Sequence, residues 1–325
     1  MKKIIVILAG IVLIAAFAVA IPYFSFSGTE LTSPVLNESK TLGLNQWFPN
    51  DVLGTATPGV TAYSTPEVTA KAAFFIEIST GEVLYSKNVH EKLPIASLVK
   101  VMTAVVALEH RSLDEKLLVS QRATEMEPDE MILLPGEKLT MKELLYGIFL
   151  VSANDAAEVL AESTAGSRDD FTSQSEGSED RRSRFIKLMN DKAKQIGMKN
   201  TRFVNSTGLD EDSENSYSTA YDMVILSRYA IKHFPVLVEI SKTEHIYIER
   251  TAEHQDYDMY SGINLLTTYP GVVGFKTGYT PEAGLTLITL VRKNGHEVLG
   301  VLLGSENRRE EARELLDFSF EKLNY

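Results

Sequence analysis

Pro94-Ile95-Ala96-Ser97-Leu98-Val99-Lys100-Val101-Met102-Thr103-Ala104 is where the chain changes character. Before it lie two strand-like runs, residues 73–79 and 82–86, with Thr80-Gly81 between them as a hairpin signal. From Ser97 to about His110 the apolar residues Val101, Val105 and Leu108 recur at helical spacing. Residues 141–150, 185–196 and 219–231 also read as helices. The last third returns to strands at 244–250, 271–276, 285–292 and 297–303, with Asn294-Gly295 as a tight turn between the last two. An amphipathic helix at 310–322 closes the chain. Strands, then helices, then strands imply an α/β fold whose sheet pairs its first and last parts across a helical insertion.

The same stretch carries the first chemical motif, Ser97-Leu98-Val99-Lys100. On a helix, positions i and i+3 share a face, so the Lys100 amine can reach the Ser97 hydroxyl. A serine hydroxyl is a weak nucleophile until a base takes its proton, and a desolvated lysine can do so. Alone the motif says little, because about one S-x-x-K is expected by chance in a chain of this size. Ser319 and Lys322 repeat it in the final helix, where a solvated face is the expected reading.

A second motif, Ser152-Ala153-Asn154, ends the apolar run 144–151, so a buried helix is expected to deliver it to a cleft. Ser152 can relay a proton, and Asn154 can both donate to and accept from a peptide. Ser86-Lys87-Asn88, Ser213-Glu214-Asn215 and Ser305-Glu306-Asn307 match the pattern too, in polar surroundings that suit turns or strand ends. The third motif, Lys276-Thr277-Gly278, is the only K-T-G in the chain and is expected to end a strand. A cation, a hydroxyl and a glycine there suit an anionic ligand that approaches the backbone closely.

In the order S-x-x-K, S-x-N, K-T-G, the three motifs match the set of β-lactamases and penicillin-binding proteins. Their contexts resemble one family, the low-molecular-mass D-alanyl-D-alanine carboxypeptidases of peptidase family S11. The resemblance rests on residues 94–104, on Val151-Ser152-Ala153-Asn154-Asp155-Ala156-Ala157 and on the T-x-F-x-N-x-x-G-L segment at 201–209. It rests also on residues 271–280 followed by Ala283-Gly284, and it runs from about Ala70 to the C-terminus. It implies a β-lactamase/transpeptidase-like α/β fold, an antiparallel sheet flanked by helices with a helical lobe. It further implies an acyl-enzyme on Ser97, with Lys100 as base and Ser152 as proton shuttle toward the leaving amine. Asn154 would position substrate, and Lys276 and Thr277 would hold its terminal carboxylate, with Gly278 also at the substrate-binding site. The N–H groups of Ser97 and Tyr279 would form the oxyanion hole. Members often carry a carboxylate-binding arginine seven residues before a Leu-Leu pair; Arg308 stands so relative to Leu315-Leu316, with Arg309 as a rival. The implied partners are peptidoglycan stem peptides ending in D-Ala-D-Ala and β-lactam antibiotics.

Three alternatives stand beside this reading. A β-lactamase needs a second base, and Glu211 and Asn215 have the E-x-x-x-N spacing of such a loop, although they follow the carboxypeptidase-like 201–209 segment directly. A D,D-endopeptidase and a non-catalytic penicillin- or wall-binding module are the others. A zinc peptidase finds no support, since His90, His110, His233, His245, His254 and His296 show no H-E-x-x-H spacing, and no metal or other cofactor is expected.

Composition sets the outer bounds. The 325 residues are 44% hydrophobic and 23% charged, ordinary for a globular protein. A net charge of -12 argues against a nucleic-acid partner. The chain has no cysteine, hence no disulfide and no thiolate nucleophile. Lys2 and Lys3 precede an uncharged apolar run from Ile4 to Ile21, which as a helix would be roughly 27 Å long, near the thickness of a bilayer core. Its length favours an uncleaved anchor over residues 1–24, while Ala18-Val19-Ala20 also fits a signal-peptide cleavage site. Either reading places the remainder outside the cytoplasm, tethered to the membrane or secreted. Residues 25–69, rich in Pro, Ser and Thr, read as a linker, residues 70–325 as the catalytic domain, and the polar stretch 166–184 as a surface loop.

Overall fold

The computed structural model describes residues 65–166, 178–210 and 215–323. The expected membrane segment, the linker up to residue 64 and Glu211 lie outside the described residues. β1 (Ala72–Glu77) and β2 (Val83–Lys87) form the hairpin read from the sequence. Two-residue β3 (Leu93–Pro94) leads into a 3-10 turn, Ala96–Leu98, and then α1 (Val99–His110). β4 (Lys116–Leu118) pairs with β5 (Lys138–Thr140). α2 (Met141–Tyr146) follows, started by a capping box in which Thr140 Oγ1 accepts from Glu143 N and the Glu143 carboxylate accepts from Thr140 N. α2 passes into a π-helical turn, Gly147–Val151, and then α3 (Asn154–Ala165).

α4 (Ser178–Ile196) comes next, then β6 (Tyr217–Ser218), which pairs with β3. α5 (Ala220–His233) and α6 (Pro235–Ser241) complete the lobe. A second hairpin, β7 (His245–Ile248) and β8 (Tyr257–Tyr260), precedes the short α7 (Leu265–Thr268). β9 (Val272–Thr280), β10 (Gly284–Lys293) and β11 (His296–Ser305) then lead to α8 (Arg308–Lys322).

The principal sheet has five antiparallel strands in the order β2-β1-β11-β10-β9. β1 pairs with β11, Ala72 opposite Leu303 and Glu77 opposite Val298, so the two ends of the described chain close over the helical insertion as expected. Alternation sends successive side chains to opposite faces. Ala72, Phe74 and Ile76 join the core of the helical lobe, while Ala73 and Phe75 join a second core under α8, with Ala312, Leu315, Leu316 and Phe320. α1 is the centre of the lobe: Val99 through Ala107 are all buried, and α3, α4 and α5 pack around them.

Four expectations need correction. The Lys276-Thr277-Gly278 motif does not end its strand, because β9 continues to Thr280. Residues 178–184 belong to a helix rather than to a surface loop. The compact body starts before residue 70: Val68 is buried, and Thr69 N donates to Glu311 Oε1 at 2.6 Å. Ser319 does not lie on a solvated face; it is buried, and its hydroxyl donates to Leu315 O at 2.5 Å.

Candidate active site

The first motif sits where the 3-10 turn meets α1. Ala96 takes a positive φ of 48°, and the adjoining backbone is pressed by Gly208, where a Cβ would lie 2.0 Å from Ala96 O. Ser97 follows at the bend, 8% exposed. One helical turn on, Lys100 is fully buried and its Nζ donates to Ser97 Oγ at 2.9 Å and to Thr207 O at 2.8 Å. A neighbouring bond fixes that carbonyl segment, Thr103 Oγ1 donating to Ser206 O at 2.6 Å. Burial pushes the Lys100 amine well below its ordinary pKa, and the ammonium of Lys276 adds to the effect. Asp129 and Asp155 pull the other way.

Ser152 ends the π-helical turn in the left-handed region, φ 63°. Its hydroxyl accepts from Lys276 Nζ at 2.9 Å, so the second motif meets the third. Lys276 is 1% exposed and also donates to Thr277 O at 2.8 Å. Burial and then the nearby Arg308 guanidinium lower its pKa to about 7. Asn154 begins α3 with its side chain buried, its Nδ2 donating to Pro128 O and its Oδ1 without a hydrogen-bond partner.

Gly278 explains how β9 reaches the first motif. A Cβ there would stand 2.9 Å from Ser97 N and 2.6 Å from Thr286 Oγ1, so any larger residue would drive the strand away from the serine. Tyr279 follows on the open side, 62% exposed. Arg308 Nη1 donates to Gly278 O at 2.6 Å and to Thr286 O at 3.3 Å. Arg309 is exposed and near Glu310, so of the two arginines only Arg308 is bonded to the motif strand. The structure therefore gathers Ser97, Lys100, Ser152, Lys276, Gly278 and Arg308 through direct contacts, with Asn154 two residues from Ser152 and Thr277 and Tyr279 flanking Gly278.

The sequence model of peptidase family S11, described as D-alanyl-D-alanine carboxypeptidase, matches residues 59–307. The chain belongs to the D-alanyl-D-alanine carboxypeptidase family. Among its relatives is the D-alanyl-D-alanine carboxypeptidase DacF of Bacillus subtilis, 36% identical over 77% of this chain and 62% of that protein. The chain thus spans less than two thirds of that relative's length. A D-alanyl-D-alanine endopeptidase of Escherichia coli is also 36% identical, over 76% of this chain and 75% of its own. The crystal structure of the Streptomyces K15 DD-transpeptidase superposes with a TM-score of 0.72 at 26% identity, covering 80% of this chain and all of that one. The fold is therefore the penicillin-binding α/β fold that the motifs imply.

Some contributors to this D-alanyl-D-alanine carboxypeptidase-type site carry no motif signal of their own. Thr207 offers only its backbone carbonyl, which no side-chain pattern announces, although it lies in the quoted 201–209 segment. Asp155 is fully buried, its Oδ1 accepting from Met131 N and its Oδ2 from Leu133 N, both at 3.1 Å. Those bonds fasten residues 131–133 beside the second motif, a placement nothing in the sequence of that loop announces.

Proposed function

We propose that this protein is a serine D-Ala-D-Ala carboxypeptidase that removes the terminal D-Ala of peptidoglycan stem pentapeptides and is acylated by β-lactams. The observation that carries the reading is the continuous polar chain Thr207 O–Lys100–Ser97 beside Ser152–Lys276. Lys100, held in a dry environment that disfavours its charge, takes the proton as Ser97 Oγ attacks the carbonyl of the penultimate D-Ala. The N–H groups of Ser97 and Tyr279 stabilise the developing oxyanion, with Gly278 keeping the two segments close. Ser152, bonded to Lys276, passes a proton to the departing amine. Lys276 and Thr277 bind the terminal carboxylate, and Arg308 adds positive charge behind the strand. Water then hydrolyses the Ser97 ester.

Attachment to the outer face of the membrane through residues 1–24 belongs to the same proposal. Its support is the apolar run itself; among the described residues no helix is long and apolar enough to cross a membrane. A D,D-endopeptidase remains a second reading, supported by the Escherichia coli relative. Intact-mass analysis tests both. Incubation with a fluorescent penicillin should add one label at Ser97, and a peptide ending in D-Ala-D-Ala should lose one D-Ala. Cleavage of cross-linked dimers with the free pentapeptide left intact would replace the carboxypeptidase reading by the endopeptidase one.

A further inference from the structure

Asp155, Glu158 and Glu162 are buried carboxylate residues of α3, spaced i, i+3 and i+7. Asp155 fastens backbone, at Met131 N and Leu133 N. Glu158 has no part in the catalytic account, and a charge sealed in the lobe costs free energy unless specific partners compensate it. Two do. The Arg122 guanidinium lies 3.3 Å from Glu158 Oε1, and Ser206 Oγ donates to Glu158 Oε2 at 2.8 Å. Ser206 is itself buried and precedes Thr207, whose carbonyl receives Lys100 Nζ.

The segment around Ser206 is stiff. Asn205 closes it on itself, Oδ1 accepting from Gly208 N at 2.6 Å and Nδ2 donating to Leu209 O at 2.9 Å. Gly208, at φ 84°, packs so close to Ala96 O and Ser97 N that the segment has no room to move toward the nucleophile. Its far end is tied to β9, Thr280 Oγ1 donating to Asp210 Oδ1 at 2.9 Å. On the lobe side, two helices hold Ser206. From α1, Thr103 Oγ1 donates to its carbonyl at 2.6 Å; from α3, Glu158 accepts its hydroxyl. A displacement of Ser206 therefore carries Thr207 O with it.

The direction of the Thr207 bond matters for the chemistry. A carbonyl oxygen can only accept, so in the neutral amine it takes an N–H of Lys100. The nitrogen lone pair is then free to face the Ser97 hydroxyl and receive its proton. We propose that Glu158, acting through Ser206 on the Thr207 carbonyl, is a positioning residue that orients the Lys100 amine for proton transfer from Ser97. The inference rests on the acylation step of the proposed function and adds to it a residue that reaches the base through two others. Support behind a reacting group fixes its geometry, and its loss is felt in the rate of the step rather than in binding.

The test is stopped-flow acylation of Ser97 by a fluorescent penicillin, which separates the acylation rate constant from the preceding binding constant. Tm is measured alongside to confirm that each variant is folded. Ser206→Ala removes one hydroxyl and should fold. It should slow acylation about threefold to tenfold, the scale of one hydrogen bond, with the binding constant unchanged. The pH profile should change too. Thr207 O favours the ammonium of Lys100 over the neutral amine, because a charged donor makes the stronger bond. Weakening that contact lowers the Lys100 pKa further, so the acid limb of the acylation rate should move to lower pH. Lys276, Asp129 and Asp155, the charged groups acting on Lys100, are unaltered in the variant. The double variant Ser206→Ala/Glu158→Ala should be no slower than the slower single one, because both substitutions break one chain. Glu158→Gln keeps an acceptor for Ser206 and should acylate within about twofold of the unmodified protein. Ser206→Ala and Glu158→Gln decide the matter even where Glu158→Ala does not fold. Unchanged acylation in Ser206→Ala overturns the proposal. So does a slower rate with the acid limb unmoved, the mark of lost packing alone, and so does Glu158→Gln as slow as Ser206→Ala. If the unmodified protein is not labelled at Ser97, the proposed function itself fails and the positioning role falls with it.

Discussion

Two serine–lysine pairs of equal span stand side by side: Lys100 Nζ is 2.9 Å from Ser97 Oγ, and Lys276 Nζ is 2.9 Å from Ser152 Oγ. Their surroundings differ. The first pair lies along one helical turn, so its geometry is set locally, and the amine's further acceptor is a loop carbonyl, Thr207 O. The second joins a left-handed residue at the end of a π-turn to the edge strand β9, so its geometry exists only when the lobe and the sheet are both folded. Each lysine is buried, and Lys276 disfavours the charge on Lys100 as Arg308 disfavours that on Lys276, but Lys100 is pushed well below its ordinary value while Lys276 is held at about 7. The same side chain thus suits a base in one place and, once an anion binds beside it, a cation in the other.

The sharpest way to break the comparison is at the serines. Ser97→Ala should abolish penicillin labelling and peptide turnover, whereas Ser152→Ala should still label, more slowly. Labelling retained by Ser97→Ala would move the nucleophile elsewhere. Next in size is Lys100→Ala, expected to slow acylation by about 10²–10⁴-fold, the range for loss of a general base; a stopped-flow acylation rate checks it.

Lys276→Ala should cost about 1.5–3 kcal/mol, or roughly 10- to 150-fold in kcat/KM, for a peptide with a free C-terminal carboxylate. A C-terminally amidated peptide should be poor for the unmodified enzyme and less penalised by the substitution. Equal losses on both peptides would make Lys276 a modulator of Lys100 rather than the carboxylate anchor. The smallest effect sharpens the contrast. Removing the guanidinium in Arg308→Ala takes away a positive neighbour, so the Lys276 pKa must rise from about 7. The expected outcome is a severalfold lower kcat/KM whose alkaline limb moves to higher pH, measured as a pH–rate profile. An unmoved limb would separate Arg308 from Lys276.

What the sequence disclosed follows the same division. The β1–β2 hairpin, the Asn294-Gly295 turn and α1 announce themselves through local pattern, and so does the Ser97–Lys100 pair, because its partners are neighbours on one helix. α3 was not legible as a helix. From Asn154 to Thr164 every residue is buried, Asp155, Glu158 and Glu162 included, so no apolar stripe marks it. Gly278 looked like a strand terminator because its reason for being glycine, the approach to Ser97 N, lies in another part of the chain. The two-residue pairing of β3 with β6 and the fastening of residues 131–133 by Asp155 have no periodicity to read.

The π-helical turn before Ser152 has a consequence for how this segment tolerates change in length. Such a turn accommodates one residue more than an α-helical turn would. Between the Thr140 cap and Ser152 it therefore works as a phase adjustment, setting the angular position at which the chain leaves the helix. Substitutions along this stretch alter packing by degrees. Loss of a single residue would instead rotate the exit by about 100°, one residue's share of a 3.6-residue turn, and swing Ser152 from Lys276 while leaving the apolar composition almost untouched. Here the number of residues carries information that their identities do not.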